Sequence, residues 1–168
     1  MYPGGNIIRI TPTISATAYD AGDVLFLTTE IPNAVSSRGG VSKLLYVTLI
    51  TQHGTGDDDI QLLFMKNSKD LIGALSPGSS GGPTISDADV EAAEITGAML
   101  IDVSDNQINL DGARVTTVSG QNSMSSQPQL LQAAEGSTSV YVAGITVDAA
   151  DYAAVDDLDL VFHIEYLG

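Results

Sequence analysis

Few residues in this chain have the type and spacing for chemistry. Ser80 stands in the run Gly78-Ser79-Ser80-Gly81-Gly82-Pro83, with His53 and Asp57 to Asp59 upstream. That is the order base-bearing His, orienting Asp, nucleophilic Ser, which would serve acyl transfer. Asp57-Asp58-Asp59, in a Gly-flanked turn, offers oxygen ligands to a hard cation such as Ca²⁺. Asp102 with Asp105, and Asp156-Asp157, are similar. His163, near Glu165, is the second of two histidines.

Each constellation falls short of its chemistry. The Ser80 run is close to the Gly-Asp-Ser-Gly-Gly-Pro stretch of trypsin-like proteases, but Ser79 replaces the Asp. His53 also lies too near Ser80 to leave room for the barrel and a half that such sites need. Transition-metal sites take three or four N, S or O ligands. Two distant histidines and no cysteine do not supply them. The Asp57–Asp59 run departs from EF-hand spacing, and a solvated turn explains it. Paired carboxylates for glycoside hydrolysis usually sit among aromatic sugar platforms, and the chain has no Trp. Neither a P-loop nor a dinucleotide fingerprint occurs. The residues therefore predict a non-enzymatic protein without cofactor or metal. Asp57, Asp58 and Asp59 are the only Ca²⁺ candidates worth naming.

Charge narrows the partners. Six basic residues stand against 21 acidic ones, a formal net charge of −15. Nucleic-acid phosphate needs a basic surface that releases counterions, so DNA and RNA are excluded as partners. Anionic lipid is repelled for the same reason. The imbalance is uneven: residues 1–69 hold five basic and six acidic groups, and residues 70–168 hold Arg114 and 15 acidic groups. No run approaches the ~20 apolar residues of a membrane span. The start, Met1-Tyr2-Pro3-Gly4-Gly5-Asn6, lacks a signal pattern, so the expectation is synthesis in the cytoplasm without a visible export route.

The elements read as β almost throughout. Residues 158–167 alternate Leu158, Leu160, Phe162, Ile164 and Tyr166 with Asp159, Val161, His163, Glu165 and Leu167, the pattern of a half-buried antiparallel strand. Further strands are predicted over 6–18 (broken or at an edge near Pro12), 23–31, 43–51, 60–65, 97–103, 113–118, 130–133 and 138–147. Apolar residues on both parities of 43–51 suggest burial on both faces. Ser86 and Asp89 form a capping box for one short helix near 86–94. A second single turn is expected at Asp148. Residues 75–83 and 119–128 read as long loops. One domain accounts for the length: a flexible segment over 1–6, then a single β-sandwich over 7–168.

Several stretches together resemble a known family. They are Ala18-Tyr19-Asp20-Ala21-Gly22-Asp23-Val24-Leu25, Gly39-Gly40-Val41-Ser42-Lys43-Leu44, Ile85-Ser86-Asp87-Ala88-Asp89 before Ile95-Thr96-Gly97, Val140-Tyr141-Val142-Ala143-Gly144-Ile145, and Asp156-Asp157-Leu158-Asp159-Leu160. The pattern, spanning roughly 7–166, resembles small virion structural proteins of tailed bacteriophages, which decorate or cement the head. The resemblance implies an all-β, jelly-roll-like antiparallel sandwich on the virion surface. It implies the major capsid protein and further copies of itself, as a homotrimer, for partners, and no catalytic residues. The expected capsid or subunit contacts are Tyr2, Pro3, Asn6, Arg9, Arg38, Lys43 and Met124, chosen from the less acidic half and a flexible loop. The alternatives are a tail, neck or head-fibre component, a carbohydrate- or host-surface-binding sandwich, and an enzyme built on Ser80.

Overall fold

The computed structural model describes residues 4–52, 59–69, 77–78, 86–104, 107–120 and 127–168. The strands are β1 (Gly5–Ile10), β2 (Ala18–Tyr19), β3 (Val24–Ile31), β4 (Val41–Gln52), β5 (Ile60–Met65), β6 (Ile95–Ile101), β7 (Gln107–Asn109), β8 (Ala113–Ser119), β9 (Leu130–Gln132), β10 (Val140–Thr146), β11 (Ala150–Asp151) and β12 (Leu158–Leu167). One helix, α1 (Asp87–Ala93), lies between β5 and β6. The protein is an all-β sandwich. Its larger sheet has the order β1-β12-β4-β8-β7, with β9 also on β4, and its smaller sheet the order β3-β10-β5-β6.

Every pairing is antiparallel, and the pairings nest: β1 with β12, β2 with β11, β3 with β10, β4 with β8 and β9, β5 with β6. The chain is thus one long two-stranded ribbon. It folds over so that β12 meets β4 in one sheet and β10 meets β5 in the other. The ribbon's tip is the β5–β6 connection, which carries α1. Ser86 caps that helix by accepting from the Asp89 N–H, and Glu94, at φ 50°, ends it in the left-handed region. Because Glu94 turns the chain directly, β6 starts at Ile95, two residues earlier than expected.

The two inner faces supply the core. Leu158, Leu160, Phe162 and Ile164 of β12 are buried, as their period of two requires. Phe162 meets Phe64 of β5 edge-on, with ring centroids 6.2 Å apart, and so joins the sheets.

Three expectations need correction. The apolar residues on both parities of β4 do not mark burial on both faces. A register shift opposite His163 and Ile164 inserts Leu45 as an extra residue. Ser42 and Leu44 point inward before it, Val47, Leu49 and Thr51 after it. At Asp148 no helical turn forms; the chain bends and enters β11, which pairs with β2. Finally, Gly5 and Asn6, expected in the flexible segment, belong to β1 and pair with Glu165 and Ile164. A Cβ at Gly5 would lie 2.8 Å from the Ile164 carbonyl oxygen, so glycine admits the close approach there.

The expected loop 119–128 has a definite root. β8 and β9 run along the same edge of β4, one after the other. Gly120 donates to the Leu45 carbonyl at 2.7 Å, and Gln129 donates to the Gly120 carbonyl at 2.8 Å. Gly120 and Gln129 are thus tied to each other beside the β4 bulge.

Candidate contact surfaces

Antiparallel nesting sends alternate connections to opposite ends of the sandwich. Among the described residues, one end receives 11–23, 59, 102–104, 110–112 and 147–157. These segments contain Asp20, Asp23, Asp59, Asp102, Asp111, Asp148, Asp151, Asp156 and Asp157, and no Lys or Arg. The opposite end carries Arg38, Lys43, Lys66 and Lys69 together with Asp87, Asp89, Glu91, Glu94 and Glu135. Both ends therefore bear carboxylates, and they differ in that four cations stand at this end while only Arg9, near the end of β1, and Arg114, at the start of β8, border the other.

At the acidic end several carboxylates pin their own turns. Asp23 accepts from the Asp20 N–H at 2.8 Å, and Asp157 accepts from the N–H groups of Ala153 and Ala154 at 2.9 and 2.7 Å. Asp102 accepts from the Ser104 N–H and hydroxyl, which hold its carboxyl below the ordinary range. Asp59, the one candidate Ca²⁺ ligand within the described residues, accepts from the Val103 N–H at 2.9 Å. Among the described residues no group of three or more metal-capable side chains comes together. Tyr19 of β2 and Tyr152, the residue after β11, are buried and pack edge-on with ring centroids 5.8 Å apart. His53, Asp57, Asp58, Asp105, Ser79 and Ser80 lie outside the described residues, as do the contact candidates Tyr2, Pro3 and Met124.

At the other end a cleft of about 680 Å³ is lined by Arg38, Lys66, Asn67, Glu94, Gln132 and Glu135, among others. Lys66 pairs with Glu94 at 3.4 Å, and Lys69 with Asp89 at 3.0 Å. Arg38 is exposed and has no carboxylate partner among the described residues. Its turn is fixed by Gly39 donating to Ser137 and Gly40 to Ser37, both at 2.9 Å.

The outer face of the larger sheet is a third surface. Its registers set Ile7, His163, Tyr46 and Ser119 in one row, and Arg9, Val161, Thr48 and Thr117 in the next. A third row runs Asp159, Ile50, Val115 and Ile108. Tyr46 packs edge-on against His163 at 5.6 Å, and the Thr48 and Thr117 hydroxyls hydrogen-bond at 3.0 Å. Lys43 pairs with Glu165 at 3.4 Å. Asp159 was expected on a polar, solvated face, yet its side chain is only 3 % exposed, because Arg9 and Thr11 close over it and donate to it. Burial alone would push its carboxyl up; the hydrogen bonds from Arg9 and Thr11 and the Arg9 charge outweigh that and hold it below the ordinary value.

The contact candidates therefore separate. Asn6 and Lys43 lie at the base-bearing end of the larger sheet, Arg38 lies on the neighbouring connection, and Arg9 sits farther along the outer face. Asn6 is occupied locally, its side chain accepting from the Ile7 N–H at 2.9 Å. Sequence reasoning passed over Ile7, Tyr46, Ile108 and Leu130, which with Leu167 are the exposed large apolar residues of that face among the described residues. Strict parity counting on either side of the β4 bulge would have found Tyr46. Ile108 lies in a three-residue strand too short to carry a period.

The chain matches no protein-family model and no curated protein.

Proposed function

We propose that this chain is a non-enzymatic virion structural protein that decorates or cements a phage capsid through protein–protein contacts. The observation that carries the reading is where the cations stand: Arg38, Lys43, Lys66 and Lys69 gather at one end, Arg38 exposed and without a carboxylate partner among the described residues, while only Arg9 and Arg114 border the Asp-bearing end. A protein that stands on a shell needs one end to dock and another compatible with solvent. The end bearing Arg38, Lys43, Lys66 and Lys69 faces the shell, and the end formed by the Asp-bearing segments faces outward. Net negative charge there keeps particles apart and soluble. The sequence resemblance supports the same role. So does the nested ribbon: eight long strands wound into sheets β1-β12-β4-β8 and β3-β10-β5-β6 fit a jelly roll.

The test is direct. Gold-labelled antibody on parent particles is expected to cover the head evenly. Gold confined to tail or neck would keep the virion role and remove the cement mechanism, and bare particles would remove both. Purified protein is expected to rebind stripped heads, with Arg38→Glu and Lys43→Glu each weakening rebinding. Equal binding by both variants would overturn the docking end.

A further inference from the structure

We infer that the outer face of the larger sheet is a lateral interface with a second copy of this chain. The argument rests on where the charge is absent. Among the described residues, the only formal charges on this face are Arg9 and Lys43, Asp159 and Glu165, and each cation is paired with one of the carboxylates. They cancel, so the whole net charge of −15 lies elsewhere on the molecule.

The same face holds Ile7, Tyr46, Ile108, Leu130 and Leu167, half of the ten large apolar side chains exposed among the described residues. Ile7 is 66 % exposed and Ile108 60 % exposed, at opposite edges of the sheet, with Tyr46 between them at 49 %. Val161, Ile50 and Val115 fill the rows in between. Charge depletion with an aromatic and aliphatic centre is the composition of an interface core.

Charge also selects the occupant. Two copies that each carry −15 repel through every acidic surface, and this face lets them meet without juxtaposing like charges. A basic partner would instead be drawn to the Asp-bearing end. The size is sufficient. Five strands at about 4.8 Å spacing and six residues of rise give a patch of about 25 by 20 Å. A pair of copies would bury about 1,000 Å² in projection, and side-chain relief carries that into the range of specific interfaces. The copies so joined share one orientation of their ends only if the contact axis runs along the strands, which suits lateral neighbours on a shell.

Sedimentation equilibrium of the purified chain tests this. The expected result is a mass that is a multiple of 17.4 kDa, with association strengthened by salt, because salt screens the repulsion between acidic ends. Tyr46→Glu and Ile7→Glu, both at exposed positions, are expected to weaken association at least tenfold while keeping the wild-type circular dichroism spectrum. Tyr46→Phe is expected to associate like wild type. A monomer at high protein concentration in both low and high salt would overturn the proposal, as would Glu variants that associate normally. Head rebinding depends on Arg38, which lies off this face, and weakens with salt, so failure of one reading leaves the other standing.

Discussion

Gly144→Ala tests the packing logic of the sandwich at one atom. Gly144 lies in β10, between β3 and β5, where the β3 register shifts on both sides of it. A Cβ at this position would stand 2.2 Å from Cε1 of Phe26 and 2.6 Å from Cδ1. Carbon atoms pack at about 3.5–4.0 Å, so the ring must retreat by more than about 1 Å. Phe26 is completely buried in the main core and has no free space to enter without moving its neighbours. Overpacking of this kind costs about 1–3 kcal/mol. Replacing a strand glycine by alanine returns about 0.5–1 kcal/mol of backbone entropy. The clash wins, by about 0.5–2 kcal/mol. For a chain of this size that lowers Tm by about 1–8 °C. Calorimetry of four proteins is the assay: wild type, Gly144→Ala, Phe26→Leu and the double variant. The double variant is expected to be more stable than the sum of the singles by about 1 kcal/mol, because the shorter side chain relieves the clash. A Gly144→Ala protein as stable as wild type, or strictly additive effects, would refute the reasoning.

Two further outcomes follow from the larger sheet. Asp159→Asn is expected to cost about 1–3 kcal/mol at pH 7, since Arg9 and Thr11 then lose a charged acceptor. The folded carboxyl titrates below its unfolded value of about 3.9, so the stabilisation is complete above that value and is lost as pH falls through the folded value; urea midpoints of wild type and variant should converge on acidification, and a constant gap down to about pH 2 would contradict the assignment. Gly120→Ala should be worse than Gly97→Ala, because its Cβ would stand 1.9 Å from the backbone oxygen of Leu44, whereas the Cβ at Gly97 meets only the Gln129 amide, a side-chain end that can swing aside. Thermal melts in the reverse order would show that the Leu44 backbone yields more readily than the Gln129 side chain.

The sandwich was legible because its longest strands are amphipathic in the simplest way. β12 alternates from Leu158 to Ile164 without interruption, and Ser86 with Asp89 announces α1 by hydrogen-bonding capacity alone. The failures have a common origin in contacts between distant residues. Nothing local near Leu45 tells that a residue is extra; the bulge exists relative to β12. Asp159 looks solvated until Arg9 and Thr11 are brought across it by β1. The pairing of β2 with β11 comes from the ribbon, while Asp148-Ala149-Ala150-Asp151 taken alone resembles a helix start. The contact surfaces were half legible. Charge counting located the acidic half of the chain, but the alternation of connections divides its carboxylates between the two ends, which counting alone does not show. The neutral sheet face is invisible in composition, because it depends on which carboxylates each cation meets.

The nested ribbon also dictates an order of events on the ribosome. Its innermost pair, β5 with β6, can form early, and each outer pair must wait for a later segment. β1 and β4 both pair with β12, and Arg9 meets a partner 150 residues downstream. Until β12 emerges, the larger sheet lacks the strand that joins its two oldest members, and Ile8, Val47 and Leu49 lack their cross-strand neighbours Phe162 and Leu160. Such long-range closure is intrinsically slow. The excess of carboxylates, spread through every connection at one end, would then protect the nascent chain by mutual repulsion during the interval when its apolar strands are bare.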